Sequence, residues 1–225
     1  MRTRQSQPAG ISTDPAGRKI VLLSGIHFGC APIAGFADDG VPMLGPEETF
    51  FTPGGGVHGQ CFSVPVPVDW DGYGDVDLIV GAESGEVELI ENVGTATNPL
   101  FAAPVPLRAD GKGIRITPGP EGSVQGPQES QWGYTNPVVG DWTGDGTDDL
   151  ILGTSLGRMF LYRNEGRDDQ GKPILAAAAI LYQGDGPFET VWRQRPSIAD
   201  LDGDGRTELI ALDPGGRLAV YRKVD

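Results

Sequence analysis

Three stretches of the chain align without gaps: PVPVDWDGYGDVDLIVGAESGEVELIEN from Pro65, PVVGDWTGDGTDDLILGTSLGRMFLYRN from Pro137 and PSIADLDGDGRTELIALDPGGRLAVYRK from Pro196. A repeat constrains architecture before any single residue does, because each copy must be one supersecondary unit that buries its apolar face against a neighbour. In every copy a Pro stands four residues before a first Asp (Asp69, Asp141, Asp200), and a Gly stands sixteen residues after it (Gly85, Gly157, Gly216). Between those marks lies a short apolar run: Leu78 to Val80, Leu150 to Leu152, or Leu209 to Ala211. A turn of the SG, LG or GG type follows, then a partly alternating run ending at Ile90, Tyr162 or Tyr221. This is the pattern of β-hairpins.

A fourth strand per unit is expected within NPLFAAPVPL from Asn98 and KPILAAAAILY from Lys172. With 35 Gly and 19 Pro among 225 residues, long helices are excluded, while 38% hydrophobic content in short bursts suffices for a core. Four-stranded units spaced 72 residues (Asp69 to Asp141) and 59 residues (Asp141 to Asp200) apart fit an all-β fold of β-propeller blades with inserted loops. The N-terminal part reads as a decayed copy, with Ile20 to Leu23 as its second strand and VPML from Val41 as its fourth. The expected organisation is a disordered or linker N-terminus at 1–11 and a single array over 12–225. That array comprises a degenerate blade at 12–55, a blade at 56–108, an insertion at 109–131, a blade at 132–186 and an incomplete blade at 187–225, about 3.5 blades in all.

The loop after each first Asp carries the chemistry. Positions 1, 3, 5, 7 and 9 are Asp69, Asp71, Tyr73, Asp75 and Asp77 in the first loop. They are Asp141, Thr143, Asp145, Thr147 and Asp149 in the second, and Asp200, Asp202, Asp204, Arg206 and Glu208 in the third. Oxygen-bearing groups on alternate residues of a tight loop, with Gly at position 6 (Gly74, Gly146, Gly205) for the bend, can wrap a hard cation of calcium size. Position 7 is expected to supply its carbonyl, which makes Thr147 and Arg206 acceptable there. Two or three Ca2+ ions are therefore expected, with the third loop the strongest site because it holds Asp200, Asp202, Asp204 and Glu208. Zinc would want His or Cys, and magnesium a stricter octahedron. An EF-hand is excluded, since its bidentate Glu at position 12 is replaced by Val80, Leu152 and Ala211. The competing explanation, that Asp and Gly merely make good turns, needs only one or two of these residues. All three loops place acids at both positions 1 and 9.

The segments DWDGYGDVDLIVG, DWTGDGTDDLILG and DLDGDGRTELIAL, each running into a Gly turn, resemble the repeats of the FG-GAP and VCBS families. Those are the calcium-loop propeller repeats of integrin α-subunit heads and of many secreted bacterial proteins. The resemblance covers residues 56–225 well and 12–52 weakly. It implies a propeller fold, metal-ligand roles for loop positions 1, 3, 5, 7 and 9, and an extracellular or cell-surface setting.

Charge narrows the partners. Lys and Arg number 17 against 31 Asp and Glu, a net charge of -14 that repels nucleic acid and anionic membranes. Twelve of the 31 acids lie in the three loops, and three bound Ca2+ ions would bring the net charge to -8. No apolar run is long enough to insert in a membrane, and the opening MRTRQSQPAG has no signal-peptide pattern. Cys30 and Cys61 are read either as one bridge or as two buried thiols.

The leading expectation for function is a calcium-stabilised extracellular scaffold that binds a protein or a glycan. Trp132, Tyr134, Trp192 and Arg195, which precede first strands, offer stacking faces and a carboxylate partner, or else pack between units. An alternative is the propeller portion of a polysaccharide lyase acting on acidic glycans, with His58, Tyr134 and Arg195 as the acid, base and charge-neutralising candidates. A third is a spacer or truncated, non-functional fragment of a larger repeat protein, its missing blades supplied by that protein or by a second copy.

Overall fold

The apolar runs of the repeats form strands covered on both faces, which is why they read as unbroken rather than alternating. Asp77–Gly81 and Asp149–Gly153 are buried at every position. Both lie inside their sheets, whose orders are Val105–Pro106, Val87–Ile90, Asp77–Gly81, Val64–Val68 for the first and Asn136–Gly140, Asp149–Gly153, Met159–Tyr162, Ala179–Ile180 for the second. The fourth strands fall inside the two stretches from which they were expected. The third repeat forms a three-stranded sheet of Ser197–Ala199, Glu208–Leu212 and Leu218–Tyr221.

The computed structural model describes residues 7–13, 19–24, 29–49, 51–52, 55–56, 62–119 and 130–223. Among them the chain is all-β, built of turns and of sheets that are antiparallel but for one parallel pairing, with no α-helix, and hence no helix long and apolar enough to cross a membrane. It divides into two compact units, Met1–Val80 with Glu88–Val105, and Gly81–Val87 with Pro106–Asp225.

In the first unit, Gln7–Thr13, Lys19–Ser24, Gly29–Phe36 and Pro42–Leu44 follow one another as an antiparallel meander. Val21 pairs with Ala31 and both are buried against Ile33. Strands thus lie where Ile20 to Leu23 and VPML were expected to form them. The stretch 1–11, expected as linker, instead contributes to a strand that starts at Gln7. The strand carries Pro8 and Gly10. An edge strand tolerates both, and the register shifts between them. The unit's second apolar cluster is Leu78, Val80, Ile90 and Phe101.

In the second unit, Val138, Ile151, Met159, Leu161 and Phe188 share one core with Leu209 and Ala211 of the following repeat. Phe188 meets Tyr221 edge to face at 4.6 Å. The glycine sixteen residues past each first Asp takes a left-handed conformation, φ +84° at Gly85, +64° at Gly157 and +76° at Gly216. Gly157 is needed twice over, because a Cβ there would lie 2.5 Å from the Thr190 carbonyl oxygen. The segment expected as an insertion at 109–131 is tied down at its start. Arg108–Ala109 pairs with Lys112–Gly113 and, in parallel, with Pro173–Leu175, and Asp110 N–H donates to Leu175 O at 2.9 Å. Ala109 is buried there.

Candidate metal centres

Each acidic loop joins the first strand of its repeat to the second, and one side chain shapes it. The position 1 carboxylate accepts the N–H groups of the glycines at positions 4 and 6. These bonds run to Asp69 from Gly72 and Gly74 (2.9 and 3.0 Å), to Asp141 from Gly144 and Gly146 (2.6 and 2.9 Å), and to Asp200 from Gly203 and Gly205 (2.7 and 3.0 Å). All six glycines have φ between +77° and +87°. Residue spacing alone pointed only to position 6, but the loop closes on two left-handed residues.

The position 9 carboxylate ties the loop to its sheet. Asp77 accepts from Trp70 N–H at 3.0 Å and from Asn92 N–H at 2.7 Å. Asp149 accepts from Trp142, Thr143 and Asn164 N–H groups at 3.2, 2.9 and 2.9 Å. Glu208 accepts from Leu201 N–H at 2.9 Å. Asn92 and Asn164, which the sequence reading missed, also turn the chain beyond the third strand, accepting from Gly94 and Gly166 N–H groups at 3.0 Å. Their signal was the shared spacing of 23 residues from the first Asp.

The loops differ in what they gather. In the first, Asp71, Asp75 and Asp77 offer carboxylate oxygens all within 4.8 Å of one another. Asp69 lies outside that group, and Tyr73 is 77% exposed. Asp71 and Asp77 are buried, and Asp75 Oδ1 is buried with no hydrogen-bond partner. Burial pushes the Asp77 carboxyl up to about 6, against the pull of its two backbone donors, and the Asp71 and Asp75 charges add to the rise. Asp75 is raised by burial first and then by Asp71, Asp69 and Glu91. A cavity of about 440 Å3 opens on this group, with Asp71, Tyr73, Asp75, Glu91 and Asn92 in its wall.

The third loop gathers Asp200, Asp202 and Glu208, while exposed Asp204 lies outside that group and accepts Arg206 N–H at 2.8 Å. In the second loop, Asp145 accepts from the Thr147 hydroxyl at 2.6 Å and its N–H at 2.9 Å, which together hold the carboxyl below its usual range. Among the described residues this loop brings no three acids together. Thr143 is tied from the next repeat, its carbonyl accepting Lys223 Nζ at 2.8 Å, and Thr207 Oγ1 donates to Asp141 O at 2.8 Å.

The chemistry of the first loop fits calcium. Hard oxygen ligands at about 2.3 to 2.6 Å from an ion stand up to about 5 Å apart, and the three carboxylates meet that limit. A buried carboxylate oxygen without a donor is the group a cation would satisfy.

The remaining candidates are scattered. His58 and Cys61 lie outside the described residues; Cys30 is buried. Tyr134 carries the Arg193 guanidinium 3.6 Å over its ring and meets Trp132 edge-on at 6.2 Å. Arg193 also stands 4.3 Å from the Trp192 ring. The arginine on the aromatic group is therefore Arg193 and not Arg195, which is exposed.

Residues 141–211, from the first Asp of the second loop to Ala211 of the third repeat, match the FG-GAP-like repeat model. The chain is similar over 96% of its length to a solved structure of an Agrocybe aegerita lectin described as recognising non-reducing terminal N-acetylglucosamine. The identity is 17% and the TM-score 0.47, and the match spans 52% of that chain, about half its length. No curated protein matches the chain.

Proposed function

We propose that this chain, an all-β scaffold carrying an FG-GAP-like repeat, is a calcium-stabilised propeller segment of about 3.5 four-stranded blades that works outside the cell in binding a protein or a glycan. The observation that carries the proposal is the first loop, where Asp71, Asp75 and Asp77 crowd together and one buried oxygen lacks a donor. Asp71, Asp75 and Asp77 would hold one ion, and Asp200, Asp202 and Glu208 another. The ion's contribution is structural: it neutralises carboxylates that otherwise repel, so that binding and folding are coupled. Loops of modest affinity fill best at extracellular calcium levels, which supports the extracellular setting. In the second unit, the half-exposed Trp132 and Trp192 beside Arg193 supply aromatic faces and a cation of the kind that glycan and protein recognition uses.

The test is thermal unfolding in EGTA and then in calcium, for the natural chain and for the Asp71→Asn/Asp75→Asn variant. At calcium about a hundredfold above Kd the midpoint is expected to rise by about 5 to 10 °C, and the variant to lose most of that gain. An unchanged midpoint would make the loops turns only. Binding is read on an immobilised panel of glycans and proteins in calcium, where silence across the panel removes the recognition role.

A further inference from the structure

Each repeat places a side chain 22 residues after its first Asp, where the third strand runs out beside the acidic loop: Glu91, Arg163 and Arg222. In the third repeat the Arg222 guanidinium stands 3.1 Å from Asp202 Oδ2 and 3.5 Å from Glu208 Oε1. These are two of the three acids that make up the third loop's candidate metal group. The Glu208 side chain is only 4% exposed, while Arg222 is 62% and Asp202 44% exposed, so the guanidinium reaches from solvent onto one buried and one exposed carboxylate. In the first repeat the same position carries Glu91, which shares the cavity wall with Asp71 and Asp75. Among the described residues no Lys or Arg pairs with Asp69, Asp71, Asp75 or Asp77. Arg163 of the second repeat pairs with Glu165 at 3.7 Å, and its charge also reaches Asp145.

We infer that this position sets how strongly each loop takes a divalent cation: Arg222 is a built-in counter-ion that weakens the third loop's hold on calcium, and Glu91 makes the first loop the preferred site. The inference rests on the calcium reading above and reverses the order drawn from counting acids. A cation entering the third loop must displace the guanidinium from two carboxylates before their oxygens can coordinate it, and it meets the repulsion of that positive charge while doing so. In the first loop the ion instead meets a fourth acid and an oxygen with no donor to give up.

The amides of Gly74, Gly146 and Gly205, each bonded to the position 1 carboxylate of its own loop, report the three loops separately in proton–nitrogen NMR spectra. The full chain is titrated with calcium from an EGTA-treated state. The Gly74 signal is expected to move at the lowest calcium and the Gly205 signal at the highest. Arg222→Gln should bring the Gly205 midpoint down about tenfold while leaving Gly74 unchanged. Arg222→Lys, which keeps the charge and loses the fork, should lower it less. Glu91→Gln should raise the Gly74 midpoint. If Gly205 responds as early as Gly74 in the natural chain, or stays where it was in Arg222→Gln, the inference is overturned while the calcium reading stands. If no glycine signal moves in any variant, the calcium reading falls, and the inference with it.

Discussion

Glycines that look alike in the repeats are held by different forces. Gly205 has φ +86°, and a methyl group added there would have no atom within 4 Å, so Gly205→Ala meets only the left-handed backbone penalty, about 1 to 2 kcal/mol. Gly157 has the same handedness, and a Cβ there would lie 2.5 Å from the Thr190 carbonyl oxygen, so Gly157→Ala must shift backbone as well. Urea unfolding is expected to rank Gly157→Ala as the more damaging, and equal losses would contradict the packing assigned to that turn. Tyr162 carries a separate, pH-dependent consequence. Burial pushes its phenol up to about 12, against about 10 in an unfolded chain. The stability it contributes is whole below pH 10 and is lost as pH rises toward 12, because only the unfolded chain ionises in that window. Tyr162→Phe should spare about 2 to 3 kcal/mol of that alkaline loss relative to the natural chain. Parallel pH curves for the two proteins would refute it.

Strand position decides how much an apolar residue matters. Leu152 is fully buried in the central strand Asp149–Gly153, whereas Leu218 is 75% exposed on Leu218–Tyr221. Leu152→Ala should cost about 2 to 5 kcal/mol and Leu218→Ala less than about 0.5 kcal/mol in denaturant titrations. Comparable losses would mean that the outer strand is covered in solution. The hairpins were legible from sequence because each is closed by neighbours: Pro before the loop, Asp and Gly within it, and Gly at the second turn. The pairing of Arg108–Ala109 with Pro173–Leu175 was not legible, because its partners lie more than sixty residues apart and each strand is only two or three residues long. The strand from Gln7 was hidden for another reason, since Pro8 and Gly10 weaken any local strand signal and only an edge position accommodates them.

At the scale of the whole molecule, the three-stranded last sheet ends on Leu218–Tyr221, with Leu218 and Val220 exposed. An edge of this kind is a template for another strand. Sedimentation is expected to give a mass that rises with concentration above 23.7 kDa, and Leu218→Lys should return it to that value. A constant 23.7 kDa mass for the natural chain would remove self-association from the account.

What the amino-acid sequence determined by itself is local: three hairpins of one kind, acidic loops with oxygen donors on alternate residues, and glycines where the backbone turns left-handed. Backbone sterics and short-range hydrogen bonds act within a few residues, so they leave marks that can be read in order along the chain. What only the tertiary structure decided is which oxygens meet and what stands against them. Asp71, Asp75 and Asp77 form a group that Asp69 does not join, and Asp204 stays out of the third loop's group. Asn92 arrives from across the sheet to hold Asp77, and Arg222 crosses from its own third strand to the third loop's acids. Strand pairing brings these residues together, and the strength of a charge contact depends on distance and burial, neither of which is written in the spacing of residues.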